Sequence, residues 1–181
     1  MKIKSLLFTL FFSLSQPAVA ENGSDLFAAA ASGKLERVQA LLAQGTEVNS
    51  KIEQDRTALM AASFNGNLRI VKLLLVYGAD VNMVDKQGTT ALADAVLFGD
   101  ADVVKALIMA GANVNAVDNQ RVAILDKARK TGREHIVKLL EAAGAKPAEA
   151  EGQENAESTA ATPEESGPKT DTQPPAEDKL K

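Results

Sequence analysis

Cysteine and tryptophan are absent from this sequence of 181 residues, and histidine occurs once, at His135. Without cysteine the chain forms no disulfide, and with one histidine it offers neither a Cys/His nucleophile nor a His-based metal cluster. The acidic pair Asp100 and Asp102 opens a predicted helix, where carboxylates favour the positive end of the helix dipole. We therefore predict no catalytic residue, no metal ligand and no cofactor, and we expect that the protein is not an enzyme.

Clusters of basic residues are missing as well. Lysine and arginine total 20 against 24 acidic residues, which gives a net charge of −4. From Lys146 onward there are nine acidic residues and four lysines, so the acidity lies in that segment and residues 21–145 are nearly neutral. Because binding to phosphates requires clustered Lys and Arg, the sequence argues against a nucleic-acid partner.

Long apolar runs are absent, since none reaches the roughly 20 residues that a membrane span requires. The apolar run at residues 6–14 follows two lysines and precedes Pro17-Ala18-Val19-Ala20, a small-residue cleavage motif. This order predicts a signal peptide over residues 1–20, cleaved between Ala20 and Glu21, and hence a periplasmic or secreted protein. The alternative, a buried N-terminal helix, leaves the order of charge, apolar run and small residues unexplained.

Glycine recurs in two series with a period of 33 residues. A fixed period of this length marks one supersecondary unit that is copied along the chain and stacked on its neighbours. The two series are Gly33, Gly66, Gly99 and Gly132, and Gly45, Gly78, Gly111 and Gly144.

Apolar residues between these glycines follow helical spacing. Leu59, Ala62 and Ser63 are spaced i, i+3, i+4 before one glycine, and Ile70, Val71 and Leu74 form an apolar helix face after it. Each copy is therefore predicted to be two short antiparallel helices, with the first helix of the first copy beginning at about Ser24. We predict an all-α solenoid of four helix-turn-helix repeats with short projecting turns. The repeats cover about 21–50, 51–83, 84–116 and 117–146, as one domain over residues 21–146.

Residues 147–181 are rich in Glu, Pro, Ala and Thr and contain one large aliphatic residue, Leu180. Such a composition buries too little apolar surface to offset the entropy of ordering, so we predict a disordered acidic tail. Two interpretations remain open: a solubilising extension, or a tether to a basic partner with a reach of about 30 Å.

The segment Asp85-Lys86-Gln87-Gly88-Thr89-Thr90-Ala91-Leu92 resembles the ankyrin repeat pattern D-x-x-G-x-T-P-L-H, and the resemblance extends over about residues 24–146. Ala91 replaces the family's Pro and Ala93 its His, so the hydrogen bonds that this His makes between repeats are not expected here. Ile52 and Asp55 stand where the family has Asp and Gly. We therefore expect a distorted turn at the start of the second repeat.

The resemblance implies that the concave side of the array binds proteins. In this family the concave side is lined by the projecting turns and by the two positions before the first glycine of each repeat. Phe64, Leu97 and Phe98 would form an apolar hot spot there, with Arg56, Lys86 and Lys130 around it. The alternative is that the aromatic residues pack against each other and contact no partner. The candidate residues are Arg56, Phe64, Asn65, Lys86, Gln87, Thr89, Leu97, Phe98, Gln120, Val122 and Lys130.

These observations favour an exported, non-catalytic scaffold, expected to be monomeric, that binds, protects or inhibits another periplasmic protein such as an enzyme or toxin. A structural or surface-tethering protein that acts through its acidic tail is one alternative. A secreted ankyrin protein directed at a host cell is another.

Overall fold

The computed structural model describes residues 19–98 and 101–148, and this part of the chain holds eight α-helices and no strand. The predicted all-α architecture of four helix pairs is confirmed. The predicted signal peptide up to residue 18, Gly99 and Asp100, and the predicted tail beyond residue 148 lie outside the described residues. The helices are α1 Val19–Ala31, α2 Leu35–Ala43, α3 Ala58–Phe64, α4 Leu68–Val76, α5 Ala91–Leu97, α6 Ala101–Met109, α7 Ile124–Lys130 and α8 Glu134–Ala142.

The helices form two layers. Helices α1, α3, α5 and α7 pack on one another as an inner layer, and α2, α4, α6 and α8 pack side by side as an outer layer. Two columns of leucine at the 33-residue period fill the space between the layers, and each of these leucines is at most 2% exposed. Burial of one such side chain contributes roughly 1.5–3 kcal/mol, so each leucine adds substantially to the stability of the core. They are Leu26, Leu59, Leu92 and Leu125, and Leu41, Leu74, Leu107 and Leu140.

The periodic glycines end helices, as their spacing predicts. Gly45 and Gly78 have φ of 85° and 83°, in the left-handed region that only glycine adopts without a steric penalty. In the turn after α2, the N–H of Thr46 donates to the carbonyl of Leu41, which satisfies one of the last carbonyl groups of the helix. The same bond pattern follows α4, α6 and α8, so one turn chemistry closes every repeat.

A ladder of asparagines joins adjacent repeats beneath these turns. The Oδ1 atom of Asn82 accepts from the N–H of Asn113 at 2.8 Å, and its Nδ2 donates to the carbonyl of Gly111 at 3.2 Å. Asn49 and Asn115, one period away on either side, make the corresponding pair of bonds to the following repeats. We call Asn49, Asn82 and Asn115 the asparagine ladder. It supplies hydrogen bonds between repeats in a chain that lacks the family's histidine.

The turns between repeats project as tips, which we define as residues 52–56, 85–89 and 118–122. In the second tip, Asp85 Oδ1 accepts from the N–H groups of Gln87 and Thr89, and Gly88 takes the left-handed conformation. The first tip instead forms a short 3₁₀ turn, Glu53–Asp55, with positive φ at both Gln54 and Asp55. The prediction of a distorted first tip is therefore confirmed.

The start of α1 differs from the prediction. The helix begins at Val19, five residues before the expected Ser24, and it runs through the predicted cleavage bond. Gly23 lies in the added turn and is buried against the loop that precedes the first tip. A Cβ atom there would lie 2.7 Å from that of Ser50, so this glycine lets the added helical turn pack closely.

Candidate functional site

The inner layer ends in an exposed pair of aromatic side chains. Phe64 closes α3, and Phe98, 34 residues later, follows α5 in the next repeat. Their ring centroids lie 4.3 Å apart with ring planes inclined by 37°, while the two residues stay 39% and 55% exposed. The rings pack against each other, as the second alternative predicts, and they also present a surface to solvent, as a hot spot requires.

The other candidates on the inner helices lie beside this pair. Leu97 is half-buried at the end of α5, and Asn65 is exposed and donates its side-chain amide to the carbonyl of Ala61 at 3.0 Å. Lys130, at the end of α7, is exposed one repeat further along. We call the surface formed by these residues, the aromatic pair and the tips the inner face.

The second and third tips stack on each other through their backbones. The N–H of Asn119 donates to the carbonyl of Gln87 at 3.0 Å, and its side-chain amide donates to the carbonyl of Lys86 at 2.8 Å. Lys86, Gln87 and Gln120 are exposed, whereas Thr89 and Val122 are half-buried. The stacked tips thus present a ridge of lysine and glutamine side chains along one edge of the inner face.

Arg56, the remaining candidate, is engaged inside the molecule. Its guanidinium donates to Asp85 Oδ2 at 3.2 Å and to Asp94 Oδ2 at 2.8 Å, and both carboxylates are nearly fully buried. The contact joins the first tip to the second tip and to α5. Arg56 therefore supports the inner face from below, and Lys86 and Lys130 are the candidate cations that the structure leaves on its surface.

A second ion pair extends this arrangement into the last repeat. Lys127 on α7 lies 2.8 Å from Asp118 of the third tip, and both side chains are largely buried. Its positive charge also acts on Asp94, which stands one period earlier in the sequence. We call Arg56, Asp85, Asp94, Asp118 and Lys127 the ionic cluster.

The surroundings shift the pKa values of Asp94 and Asp118 in opposite directions. Desolvation raises the pKa of Asp94 to about 6, although the attraction and hydrogen bond of Arg56 oppose it. Desolvation acts on Asp118 too, but the hydrogen bonds from Lys127 and from the N–H of Val122 outweigh it and lower its pKa. Asp94 therefore takes up a proton before Asp118 as the pH falls.

Sequence reasoning missed the ionic cluster, although a signal was present. Asp94 lies within the run Leu92-Ala93-Asp94-Ala95-Val96, whose other members are predicted to be buried. The corresponding position one period earlier is Ala61, which is buried. A charge in that setting requires a partner, and the structure supplies Arg56.

The described residues contain no group of three or more His, Cys, Asp or Glu placed to hold a metal ion. His135 is exposed on α8. Among the helices of residues 19–98 and 101–148, none is long and apolar enough to cross a membrane. The inner face presents aromatic rings, amides and ammonium groups on its helices and stacked tips, and these groups are suited to non-covalent contact with another molecule.

Comparison with known proteins agrees with the geometry. A search of curated proteins found no match to the chain. The family model of ankyrin repeats, in three copies, matches residues 26–118, which is just over half of the sequence. The fourth helix pair, α7 and α8, continues the same period and the same packing beyond that match. Two helix layers, projecting tips and a 33-residue period thus coincide with the family match, and the chain belongs to the ankyrin repeat family.

Proposed function

We propose that the protein is a non-catalytic scaffold that binds another protein through its inner face, with Phe64 and Phe98 as the anchor. Ankyrin repeats generally mediate contacts between proteins, which supports a binding role for the array. The observation that carries the proposal is the exposed, mutually packed aromatic pair. Aromatic residues are enriched among the side chains that dominate binding energy at protein interfaces.

The packing of the pair lowers the cost of binding. Each ring restricts the other, so few rotamers remain to be lost when a partner covers them. The two rings come from different repeats, and the backbones of those repeats are fixed by the leucine columns and by the ionic cluster below. The anchor is therefore preorganised, as a strong interface contact requires.

The surroundings of the pair indicate the chemistry of the partner. Lys86 on the tips and Lys130 on α7 are exposed, and so are the amide side chains of Asn65 and Gln87. A partner that fits would offer an apolar side chain to the rings and carboxylates to the lysines. The charges of Lys86 and Lys130 would act more on the rate of association and on specificity than on affinity.

The location of the partner follows from the predicted signal peptide. An exported array meets other exported proteins, so we propose that it binds a periplasmic protein and protects or inhibits it. The near neutrality of residues 21–145 is consistent with a protein partner, since binding to nucleic acid rests on a large excess of positive charge.

The test is substitution of both rings, Phe64→Ser and Phe98→Ser, in the exported protein. Wild-type and variant proteins would be used to capture partners from a periplasmic extract, with identification by mass spectrometry. We expect captured proteins to be lost from the double variant while its thermal transition stays within a few degrees of wild type.

Tyr77→Ser is the matched control, because Tyr77 is an aromatic residue of similar exposure, 47%, at the end of outer helix α4. It should retain every partner that the wild type captures. If the double variant captures the same proteins as the wild type and Tyr77→Ser, the inner face is not the binding surface and the proposal is wrong.

A further inference from the structure

The outer layer carries an apolar groove on the side opposite the aromatic pair. A cavity of about 590 Å³ lies between α4 and α6, and Leu75, Val76 and Met109 contribute apolar walls. Val76 is 83% exposed and Met109 88%, more than any other large apolar side chain in the described residues. Exposed apolar side chains that line one groove mark a contact surface.

A column of lysines passes along this groove. Lys72, Lys105 and Lys138 are the fifth residues of α4, α6 and α8, and all three are exposed. Because neighbouring helices pack about 8–10 Å apart, the three ammonium groups form a line across three repeats. Lys72 and Lys105 also line the groove itself. Lys105 lies 3.3 Å from Asp102, but such an exposed pair contributes little and leaves the lysine available to another carboxylate.

Residues 149–181 of the same chain complement this surface in charge. They carry nine carboxylates and three lysines, a net charge of −6, and a single large aliphatic side chain, Leu180. The outer surface offers the converse, a row of ammonium groups beside an apolar groove.

The segment is also long enough to reach the groove. Its starting point is fixed in the last repeat, where the N–H of Ala148 donates to Asp126 at 3.2 Å. A random coil of the roughly 32 residues from there to Leu180 would span roughly 30 Å, whereas two helix spacings back to α4 amount to about 20 Å. Leu180 can therefore reach the groove while the carboxylates that precede it pass the lysine column.

We propose that residues 149–181 dock on the outer layer of their own array, with carboxylates along Lys72, Lys105 and Lys138 and Leu180 in the groove between α4 and α6. A covalently linked segment meets its site at an effective concentration of the order of millimolar, so a contact that is weak between separate molecules is populated within one chain. The docked segment covers the outer groove and leaves the inner face open. Because the contact depends on exposed charges, salt weakens it.

Because the sequence has no cysteine, a single introduced cysteine can be labelled selectively to test this proposal. Lys179→Cys introduces the sole thiol of the protein, to which a nitroxide spin label is attached in the full chain. At low ionic strength we expect the label to broaden the amide NMR signals of Val76, Lys105 and Met109 and to leave those of Phe64 and Gln87 sharp. At about 1 M salt, where the Debye length is about 3 Å, the broadened signals should recover.

Two variants and one control identify the contacts. Leu180→Ser and the pair Lys72→Gln with Lys105→Gln should each reduce the broadening at Met109 at least about threefold, as expected when two weak contacts act together. Lys86→Gln removes an exposed lysine on the inner face and should leave the broadening unchanged.

Several outcomes would overturn the proposal. Broadening of inner-face amides would place the segment on the other side of the array, and broadening restricted to the last repeat would show that it does not reach the groove. Absence of broadening would favour an external partner for the acidic segment. In a mixture of isotope-labelled protein without the nitroxide and spin-labelled protein without the isotope, broadening would show that the segment contacts a second molecule and not its own array.

Discussion

The asparagine ladder and the ionic cluster join the same repeats by opposite means. The ladder uses one neutral residue per junction, at Asn49, Asn82 and Asn115, and makes the same backbone bonds each time. The ionic cluster is not built in the same way in each repeat, and its centre, Asp94 with Arg56, links the tips and helices of the second and third repeats. The asparagine ladder is thus the connection that the junctions share, and the ionic cluster is an addition at the junction between the second and third repeats.

The aromatic pair lies at that same junction. Phe98 lies one helical turn after Asp94, and its N–H donates to the carbonyl of Asp94 at 3.0 Å. The inner helix that positions one ring of the proposed anchor is thus the helix that carries the buried carboxylate. The predictions below test how much the ionic cluster and the neighbouring turns each contribute to the free energy of unfolding.

The largest effect is expected for Arg56→Met. Loss of the guanidinium leaves Asp85 and Asp94 buried without their cation, so the free energy of unfolding at pH 7.5 should fall by about 3–5 kcal/mol. The measurement is urea unfolding followed by circular dichroism. Arg69→Met, at an exposed position of α4, is the control and should change the stability by less than about 0.5 kcal/mol.

The loss in Arg56→Met should also shrink as the pH falls toward 5, because protonation of Asp94 relieves the uncompensated charge. A variant that unfolds at the same urea concentration as wild type at pH 7.5 would show that the guanidinium contributes nothing at this junction.

A smaller effect of opposite sign is expected for Asp94→Asn. The pKa of Asp94 is about 6 in the folded state and about 3.9 in an unfolded chain, so the folded state binds the proton more tightly. The contribution of Asp94 to stability is therefore lowest above pH 6 and rises as the pH falls from 6 to 4. Asp94→Asn should be more stable than wild type at pH 7.5, by up to about 3 kcal/mol, and equal to it near pH 4.

The measurement is the free energy of unfolding of both proteins at intervals from pH 4 to 7.5. If Asp94→Asn is instead less stable at pH 7.5 and the difference disappears in acid, the charged pair is a net stabiliser and the pKa of Asp94 is depressed. The cluster would then serve stability, as the ladder does.

The smallest expected effect is a difference in stability between two glycine substitutions, one in the second tip and one in the turn after α4. Gly88 and Gly78 both have positive φ, 77° and 83°, but a Cβ atom on Gly88 would lie 3.0 Å from the backbone nitrogen of Asn119, while Gly78 has no atom within 4 Å. Gly78→Ala should cost about 1 kcal/mol for the left-handed conformation alone. Gly88→Ala should cost about 2 kcal/mol, because the stacked tips must also separate. Equal losses of thermal stability would contradict tight stacking of the tips.

The fold could be predicted because its determinants are local and repeated. The period places glycine where each helix must end in a left-handed residue, and the leucine spacing places a helix face in the core. The exposure of Phe64 and Phe98 agrees with the place that the ankyrin repeat pattern gives to the two positions before the first glycine of each repeat. None of these predictions needed a contact between distant residues.

The ionic cluster could not be predicted in the same way, because it depends on the distorted first tip. Positive φ at Gln54 and Asp55 shapes the chain that leads into Arg56, whose side chain then turns inward to Asp85 and Asp94 rather than outward. In the sequence Arg56 is one more charged tip residue. Its inward direction depends on the position of the neighbouring repeat, which the sequence pattern does not specify. The start of α1 at Val19 escaped prediction for a related reason, since it depends on how Gly23 meets the loop at Ser50.

The bonds of the asparagine ladder end on main-chain atoms, a carbonyl and an N–H that every repeat possesses. The joint therefore does not depend on the side chains of the repeat that follows. A repeat can be duplicated, deleted or exchanged, and its neighbour still finds the same two bonding partners. Chains built in this way can change length by whole modules and diverge on the faces that meet partners, while the joints between modules stay interchangeable.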